Sequence, residues 1–166
     1  ISAGITFSLQ EGSDTALEID ASTGVVTINE VPDFETKSTY IFTVVATDGV
    51  NSDVVRNVTL SINNLDEVAP TITSISNEVS LDENSGAAQV IYRVTSDDSD
   101  DITFGVSYSL ADDLESALSI DSSNGEVTLT ADPDHEVQSQ YVFEVVATDA
   151  AGNVSDAHSV TVNINN

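Results

Sequence analysis

The sequence repeats itself, and this internal repeat constrains the fold more than any other feature. Residues 5–48 align without a gap onto residues 106–149, with 21 identities in 44 positions. After one inserted residue in the second copy, the match resumes between residues 58–64 and 160–166. A self-match at a fixed offset indicates tandem copies of one structural unit rather than a single larger domain. We therefore predict two copies of one domain, which has roughly 100 residues when complete.

The limits of the two copies follow from this alignment. The first copy is assigned to residues 1–66, the joint to residues 67–70 and the second copy to residues 71–166. The second copy begins with two predicted strands, in residues 77–84 and 87–96, that have no counterpart in the first. We therefore expect the first copy to lack its first two strands and the chain to be a fragment of a longer array. The unpaired edges of such a copy would be a template for pairing with another chain.

Alternation of apolar and polar side chains dominates both copies. In the stretch YVFEVVATD, Tyr141, Phe143 and Val145 point to one face, as a half-buried strand requires. Residues 119–129 predict two short strands around an Asn-Gly turn, because this residue pair readily adopts the positive φ of a tight hairpin. Short strands with turn signals about every 8 to 12 residues are typical of a β-sandwich. The predicted fold class is all-β, with two tandem sandwiches and no helix.

Charge and composition exclude several classes of function. The 29 acidic residues oppose 3 basic ones, for a formal net charge of −26. Such a chain repels nucleic acid and anionic membrane surfaces, so neither is expected as a partner. No apolar run reaches the roughly 18 residues that a membrane-spanning segment needs, so direct membrane insertion is not expected. Without cysteine, the chain has neither disulfides nor thiolate metal sites.

The same charge favours a cation as a partner, because self-repulsion of this size destabilises a compact fold unless salt or bound cations offset it. Loops rich in Asp, Glu and Asn suit calcium, which takes about six to eight oxygen ligands in irregular geometry, whereas magnesium keeps more water. A solvated acidic surface, as in halophilic or marine proteins, is the alternative explanation. The carboxylates concentrated at predicted strand ends and at the joint are Asp33, Glu35, Asp48, Asp66, Glu67, Glu83, Asp97, Asp98, Asp100, Asp101, Asp134, Glu136 and Asp149.

Short motifs follow one another in a fixed order along the chain, and those from the hairpin to VVATD are present in both copies. They are LDEN at the opening strand, VTSDDSD after the second strand, IDSSNGEVT at the hairpin, PDFE and PDHE, VVATD in both copies, and NNLDEVAP at the joint. This order and spacing resemble tandem cadherin repeats of large bacterial surface adhesins, such as the extender regions of RTX-type biofilm adhesins. The likeness covers nearly the whole chain apart from the missing front of the first copy. It implies Greek-key sandwiches of immunoglobulin-like topology.

The resemblance also implies calcium ions between successive domains, with ligands from the preceding domain, the joint and the following domain. The joint departs from the family pattern, since Asn64 stands in place of an Asp, Asp66 in place of an Asn and Glu67 in place of an Asp. Oxygen ligands persist there with altered reach and charge. The implied ligands of this joint are Asp33, Glu35, Asn64, Asp66, Glu67, Asp98, Asp100 and Asp149, with the Val68 carbonyl in addition. The ligands implied for a following joint, beyond Asn166, are Glu83, Asp134 and Glu136.

The function implied by the resemblance is mechanical. Extender repeats stiffened by calcium would hold an adhesive tip away from the rest of the protein, with neighbouring repeats of the same chain as their partners. The parent adhesin would lie on a bacterial cell surface or be secreted. Two alternatives stay open: an adhesive module that binds itself or a cell-surface ligand, which would need an exposed apolar or aromatic anchor, and a non-catalytic accessory sandwich of a secreted enzyme. No enzymatic activity is expected, because the lone His135 and His158 form no pairing of nucleophile and base.

Overall fold

The computed structural model describes residues 4–103, 105–111 and 117–166, and these residues form strands and loops only. The predicted all-β class is therefore confirmed. No helix is present in the described part of the chain, so none there could cross a membrane. The chain divides into two compact units, unit 1 (Ile1–Leu65) and unit 2 (Asp66–Asn166).

Unit 1 contains a three-stranded antiparallel sheet and a separate hairpin. The sheet has the strand order β1–β4–β5, and the hairpin pairs β2 with β3. Its small core consists of Leu17, Tyr40 and Phe42, which are at most 7% exposed. The strands are β1 (Thr6–Leu9), β2 (Leu17–Ile19), β3 (Val26–Ile28), β4 (Thr39–Thr47) and β5 (Val54–Ser61).

Unit 2 is a sandwich of two main sheets, with the orders β10–β13–β14–β7 and β11–β12–β8. A short ladder, β6–β9, lies near its beginning. Strand β7 runs parallel to β14 in register from Thr161 opposite Glu78 to Asn165 opposite Asp82. The strands are β6 (Thr71–Ile72), β7 (Glu78–Asp82), β8 (Gln89–Arg93), β9 (Ser96–Asp97), β10 (Ser107–Leu110), β11 (Leu118–Ile120), β12 (Glu126–Leu129), β13 (Gln140–Thr148) and β14 (His158–Asn165).

The core of unit 2 follows the predicted alternation. Along β13 every second side chain from Tyr141 to Ala147 is buried, and Val160, Val162 and Ile164 of β14 are buried in the same way. These side chains contact the inner face of the opposite sheet, so each sheet hides its apolar face against the other. The buried cluster is Ile91, Tyr92, Val94, Leu118, Val127, Leu129, Tyr141, Phe143, Val145, Val160, Val162 and Ile164.

The last strand of each unit shows how the two copies differ. In unit 2, Val160 and Val162 of β14 are 0% exposed, because β7 pairs with the outer edge of that strand and β8 covers its face. In unit 1 the equivalent Val58 and Leu60 of β5 are 37% and 39% exposed. Residues 4–65 contain no strand that corresponds to β7 or β8. The apolar face of the last strand is thus buried in unit 2 and partly exposed to solvent in unit 1.

The hairpin β11–β12 differs from the predicted Asn-Gly turn. Only Gly125 has a positive φ, of 72°, whereas Asn124 keeps a negative φ and its Oδ1 accepts a hydrogen bond from the Glu126 N–H at 2.9 Å. The loop is stabilised instead by Asp121, whose Oδ1 accepts hydrogen bonds from the N–H and the hydroxyl of Ser123. These bonds lower the pKa of Asp121. The five-residue loop is therefore a side-chain-stabilised turn rather than a two-residue hairpin.

Replacement of Gly125 with Ala should destabilise unit 2 by about 1–3 kcal/mol or more. The new Cβ would lie 2.6 Å from the Val94 carbonyl oxygen, and φ at this position is +72°. Gly152→Ala is the matched control, because φ there is +98° but no heavy atom lies within 4 Å of an added Cβ. Chemical denaturation in the presence of a chelator should show the larger loss for Gly125→Ala. Equal losses would mean that the contact with Val94 relaxes freely.

Candidate metal centre

Three carboxylates from separate segments of unit 2 form an acidic cluster. Asp66 precedes β6, Asp98 directly follows β9 and Asp149 directly follows β13. Burial, followed by the negative charges of Asp149 and Asp66, raises the pKa of Asp98. Both causes disfavour the ionised form, since the Asp98 carboxylate is partly shielded from water and lies near other negative charges. We refer to Asp66, Asp98 and Asp149 as the acidic cluster.

Several oxygens of the acidic cluster are buried without a hydrogen-bond donor. Both Oδ atoms of Asp66 and the Oδ2 atom of Asp98 are shielded from solvent, and no donor from the described chain reaches them. A buried carboxylate oxygen without a partner costs free energy. Hard anionic oxygens that converge from three segments are the ligands that calcium prefers. The residues of the acidic cluster therefore fit a divalent cation.

Asp149 is held firmly by its own loop. Its Oδ1 accepts hydrogen bonds from the N–H groups of Gly152 and Asn153 at 2.7 and 2.8 Å, and its Oδ2 accepts one from Asn153 Nδ2 at 2.8 Å. Burial of this 6% exposed residue by itself would raise its pKa. The hydrogen bonds from Asn153 and Gly152 outweigh burial, so the pKa of Asp149 lies below its ordinary value. Asp149 is therefore ionised at neutral pH.

Asn153 is a member of this site that the sequence analysis did not select. Its Nδ2 also donates a hydrogen bond to the main-chain carbonyl of Asp66, at 2.9 Å. The signal that could have revealed it is repetition, because an asparagine follows the VVATD motif in both copies. In unit 1, Asn51 donates through Nδ2 to Asp48 Oδ2 at 2.7 Å and through its N–H to Asp48 Oδ1 at 2.8 Å.

The other predicted ligands in unit 2 differ in burial. Asp100 is exposed, whereas the neighbouring Asp101 is half-buried and its Oδ2 is shielded from solvent. A carboxylate oxygen of Asp101 lies within 4.8 Å of one from Glu67, which is exposed. The structure thus brings Glu67 together with Asp101, and it leaves the side chain of Asp100 in solvent.

The predicted ligands in unit 1 occupy its surface and its last residues. Asp33 lies in the exposed loop between β3 and β4, where its Oδ1 and Oδ2 accept hydrogen bonds from the N–H and the hydroxyl of Thr36, both at 2.9 Å. These bonds lower the pKa of Asp33. Glu35 is exposed in the same loop, and Asn64 is half-buried beyond the end of β5.

A second acidic group in unit 2 consists of Glu83, Asp134 and Glu136. One carboxylate oxygen from each lies within 4.8 Å of the other two. Glu83 Oε2 accepts a hydrogen bond from the N–H of His135 at 3.3 Å, and Glu136 Oε1 accepts one from Asn166 Nδ2 at 3.0 Å. The structure therefore brings together the three residues that the sequence analysis grouped.

Replacing Asp98 with Asn should stabilise the metal-free protein at neutral pH. Because the pKa of Asp98 is raised in the folded state, its contribution to stability is present at low pH and is lost as pH rises from its unfolded value through the folded one. Thermal melts in a chelator should therefore show that the advantage of Asp98→Asn over the parent protein grows as pH rises from about 3 to 7. Asp156→Asn, at an exposed carboxylate outside the acidic cluster, is the control. If both variants melt alike, like-charge repulsion at Asp98 is not the cause.

Comparison with known proteins shows what the sequence is similar to. Residues 77–165 match the family described as Cadherin domain. Human Protocadherin Fat 1 is 31% identical over 167 residues, which cover 98% of this chain and 4% of that protein. Human Cadherin-5 is 32% identical over 151 residues, which cover 87% of this chain and 19% of that protein. The chain therefore spans only a small part of the length of these relatives.

Solved structures show the same likeness at the level of the fold. The crystal structure of human Protocadherin-24 EC1-2 gives a TM-score of 0.71 at 19% sequence identity, and the match covers 98% of this chain and 82% of that chain. The crystal structure of mouse Cadherin-23 EC22-24 gives a TM-score of 0.63 at 24% identity, covering 98% of this chain and 54% of that chain. At these identities the likeness shows the fold alone, and it confirms the predicted cadherin-like sandwich.

Proposed function

This chain belongs to the cadherin domain family, and from that premise we propose that its acidic cluster binds calcium and that the chain acts as a spacer in an extracellular adhesive protein. Cadherin domains are extracellular parts of surface proteins and generally bind calcium. One observation carries the proposal for this chain: the buried oxygens of Asp66 and Asp98 that no hydrogen-bond donor reaches. Calcium would supply the positive charge that offsets the mutual repulsion of these carboxylates.

The position of Asp66 in the chain connects calcium binding with stiffness of the joint. Asp149 is ionised and held by its loop, whereas Asp66 and Asp98 offer unpaired oxygens. Asp66 directly follows Leu65, the last residue of unit 1. Fixing the carboxylate of Asp66 would therefore restrain the backbone at the joint and stiffen the chain there. The wider ligand set that we propose for the joint adds Asp33, Glu35, Asn64, Glu67 and Asp100.

The second acidic group, Glu83, Asp134 and Glu136, is proposed as a further calcium site. Its support is the approach of the three carboxylates to within 4.8 Å of one another. Two of the three residues are exposed, so like charges there are better screened than in the acidic cluster. We therefore expect weaker binding at this group.

The proposed setting is a bacterial surface or secreted adhesin, with the neighbouring repeats as partners. The relatives and solved structures described above are human and mouse proteins, and they do not show a bacterial source. What supports this setting is composition, since a charge of −26 and the absence of cysteine suit a salt-exposed protein that needs no disulfides.

Small-angle X-ray scattering with and without millimolar calcium tests the spacer function. We expect calcium to narrow the range of maximum dimensions that the molecule adopts in solution, because a restrained joint can bend through fewer angles. Asp98→Ala should remove most of this response and leave both units folded. Magnesium at the same concentration is the control for ionic strength. A scattering profile that calcium does not change would contradict the proposal.

A further inference from the structure

The side-chain amide of Asn153 connects two segments of unit 2 that are 87 residues apart in sequence. One hydrogen of Nδ2 is donated to the main-chain carbonyl of Asp66 at 2.9 Å, and the other to Asp149 Oδ2 at 2.8 Å. The N–H of Asn153 donates to Asp149 Oδ1, and its carbonyl accepts a hydrogen bond from the Asp149 N–H at 3.1 Å. Asn153 thus contacts the main chain of one member of the acidic cluster and both carboxylate oxygens of another.

Asp66 depends on this contact because its own carboxylate has no partner. Neither Oδ1 nor Oδ2 of Asp66 accepts a hydrogen bond from the described chain. The position of these oxygens is therefore set by the main chain that carries them. The bond from Asn153 to the Asp66 carbonyl fixes that main chain against the loop of Asp149.

We infer that Asn153 is a positioning residue, which holds Asp66 beside Asp149 before any cation binds. This inference rests on the proposed function and extends it, because it assigns the pre-organisation of the site to a residue that is not itself a ligand. An asparagine suits this role since it donates two hydrogen bonds without adding positive charge. A lysine or arginine at this place would offset the negative charge that attracts a cation.

The first copy of the domain contains the same contact between an asparagine and the loop carboxylate. Its loop after the VVATD motif is one residue shorter, yet Asn51 places Nδ2 on Asp48 Oδ2 and its N–H on Asp48 Oδ1, as Asn153 does with Asp149. Gly49 and Gly152 take positive φ values of 72° and 98° within these loops. Two loops of different length thus arrive at the same pairing of asparagine and carboxylate. The pairing of the asparagine with the carboxylate therefore does not depend on one loop length, and in unit 2 the same amide also reaches the Asp66 carbonyl.

The test begins with the unmodified, metal-free protein in a chelator. NMR hydrogen exchange should show that both Nδ2 protons of Asn153 exchange more slowly than those of an exposed asparagine. Asn153→Leu, which keeps the branched shape and the number of side-chain heavy atoms but has no donor, should shift the carbonyl ¹³C resonance of Asp66 and speed amide exchange in residues 66–69. Calorimetry should then show calcium affinity reduced by roughly 10- to 100-fold, the usual loss when a ligand loses its supporting partner.

Asn163→Leu is the matched control, because Asn163 Nδ2 also donates to a carboxylate, Glu78 Oε1, at 2.7 Å in the same unit. It should leave the resonances of residues 66–70 and the calcium affinity unchanged. Unprotected Nδ2 protons in the unmodified protein would overturn the inference, as would an Asn153→Leu variant whose Asp66 resonances match the parent. If the unmodified protein binds no calcium, the proposed function fails, while the metal-free exchange data still decide the role of Asn153.

Discussion

Addition of calcium to the metal-free chain is expected to raise the melting temperature of unit 2 by on the order of 10 to 20 °C. A ligand that binds only the folded state stabilises it by RT ln(1 + [L]/Kd), which is about 2.7 kcal/mol at a hundredfold excess over Kd. The acidic cluster exists only when three distant segments of unit 2 are folded together, so the unfolded chain lacks the site. Circular dichroism melts with calcium and with a chelator measure the difference.

Two comparisons make this result specific. Asp98→Ala should abolish most of the calcium-dependent rise, because it removes an oxygen that no hydrogen-bond donor reaches. Magnesium should stabilise unit 2 less, since it keeps more of its water than calcium does. An equal rise with both cations, or an unchanged rise in Asp98→Ala, would attribute the stabilisation to general screening of the net charge.

Replacement of Leu129 with Ala should lower the free energy of unfolding of unit 2 by about 2–5 kcal/mol. Leu129 lies on β12 in the inner face of the sandwich and is 0% exposed. Its removal leaves a cavity among neighbours that both sheets hold in place, so little of the lost packing is recovered. Urea denaturation, followed by resonances of unit 2, measures the loss.

The internal repeat supplies a matched control for this substitution. Ile28 occupies the equivalent position in unit 1, but it is half-buried at the margin of a core of three buried residues. Ile28→Ala deletes the same number of carbons and should destabilise unit 1 much less, because Ile28 is partly exposed and its removal takes less apolar surface out of the core. Equal losses in the two units would mean that unit 1 is packed as tightly as unit 2.

Much of the fold could be predicted from the sequence because strand alternation is a local signal. The alternation of Tyr141, Phe143 and Val145 predicts the buried face of β13, and all three side chains are buried in the structure. The parallel pairing of β7 with β14 could not be predicted in this way, because the two strands are far apart in the chain and alternation does not specify a partner. The prediction of a two-residue turn at Asn124 was wrong, because the side chains of Asp121 and Ser123 favour a longer loop.

The candidate site could be predicted to the extent that its carboxylates belong to sequence motifs. Asp66, Asp98 and Asp149 each belong to a motif at a strand end, and the fold gathers them in unit 2. The role of Asn153 could not be predicted from the sequence, because it depends on a hydrogen bond to the main-chain carbonyl of Asp66. Every residue has such a carbonyl, so no sequence pattern identifies the one that is bound. The exposure of Asp100 beside the partly buried Asp101 depends on the local path of the loop, which residue type does not reveal.

The parallel pairing of β7 and β14 has a consequence for how unit 2 bears tension. β7 lies near the beginning of the unit and β14 at its end, and five residue pairs join them, from Thr161 with Glu78 to Asn165 with Asp82. A pull on the two ends drags these parallel strands in opposite directions along their length. All of the bridging hydrogen bonds are then loaded in shear at once, instead of opening one after another. Rupture of the pairing between β7 and β14 therefore requires concerted failure of the whole ladder.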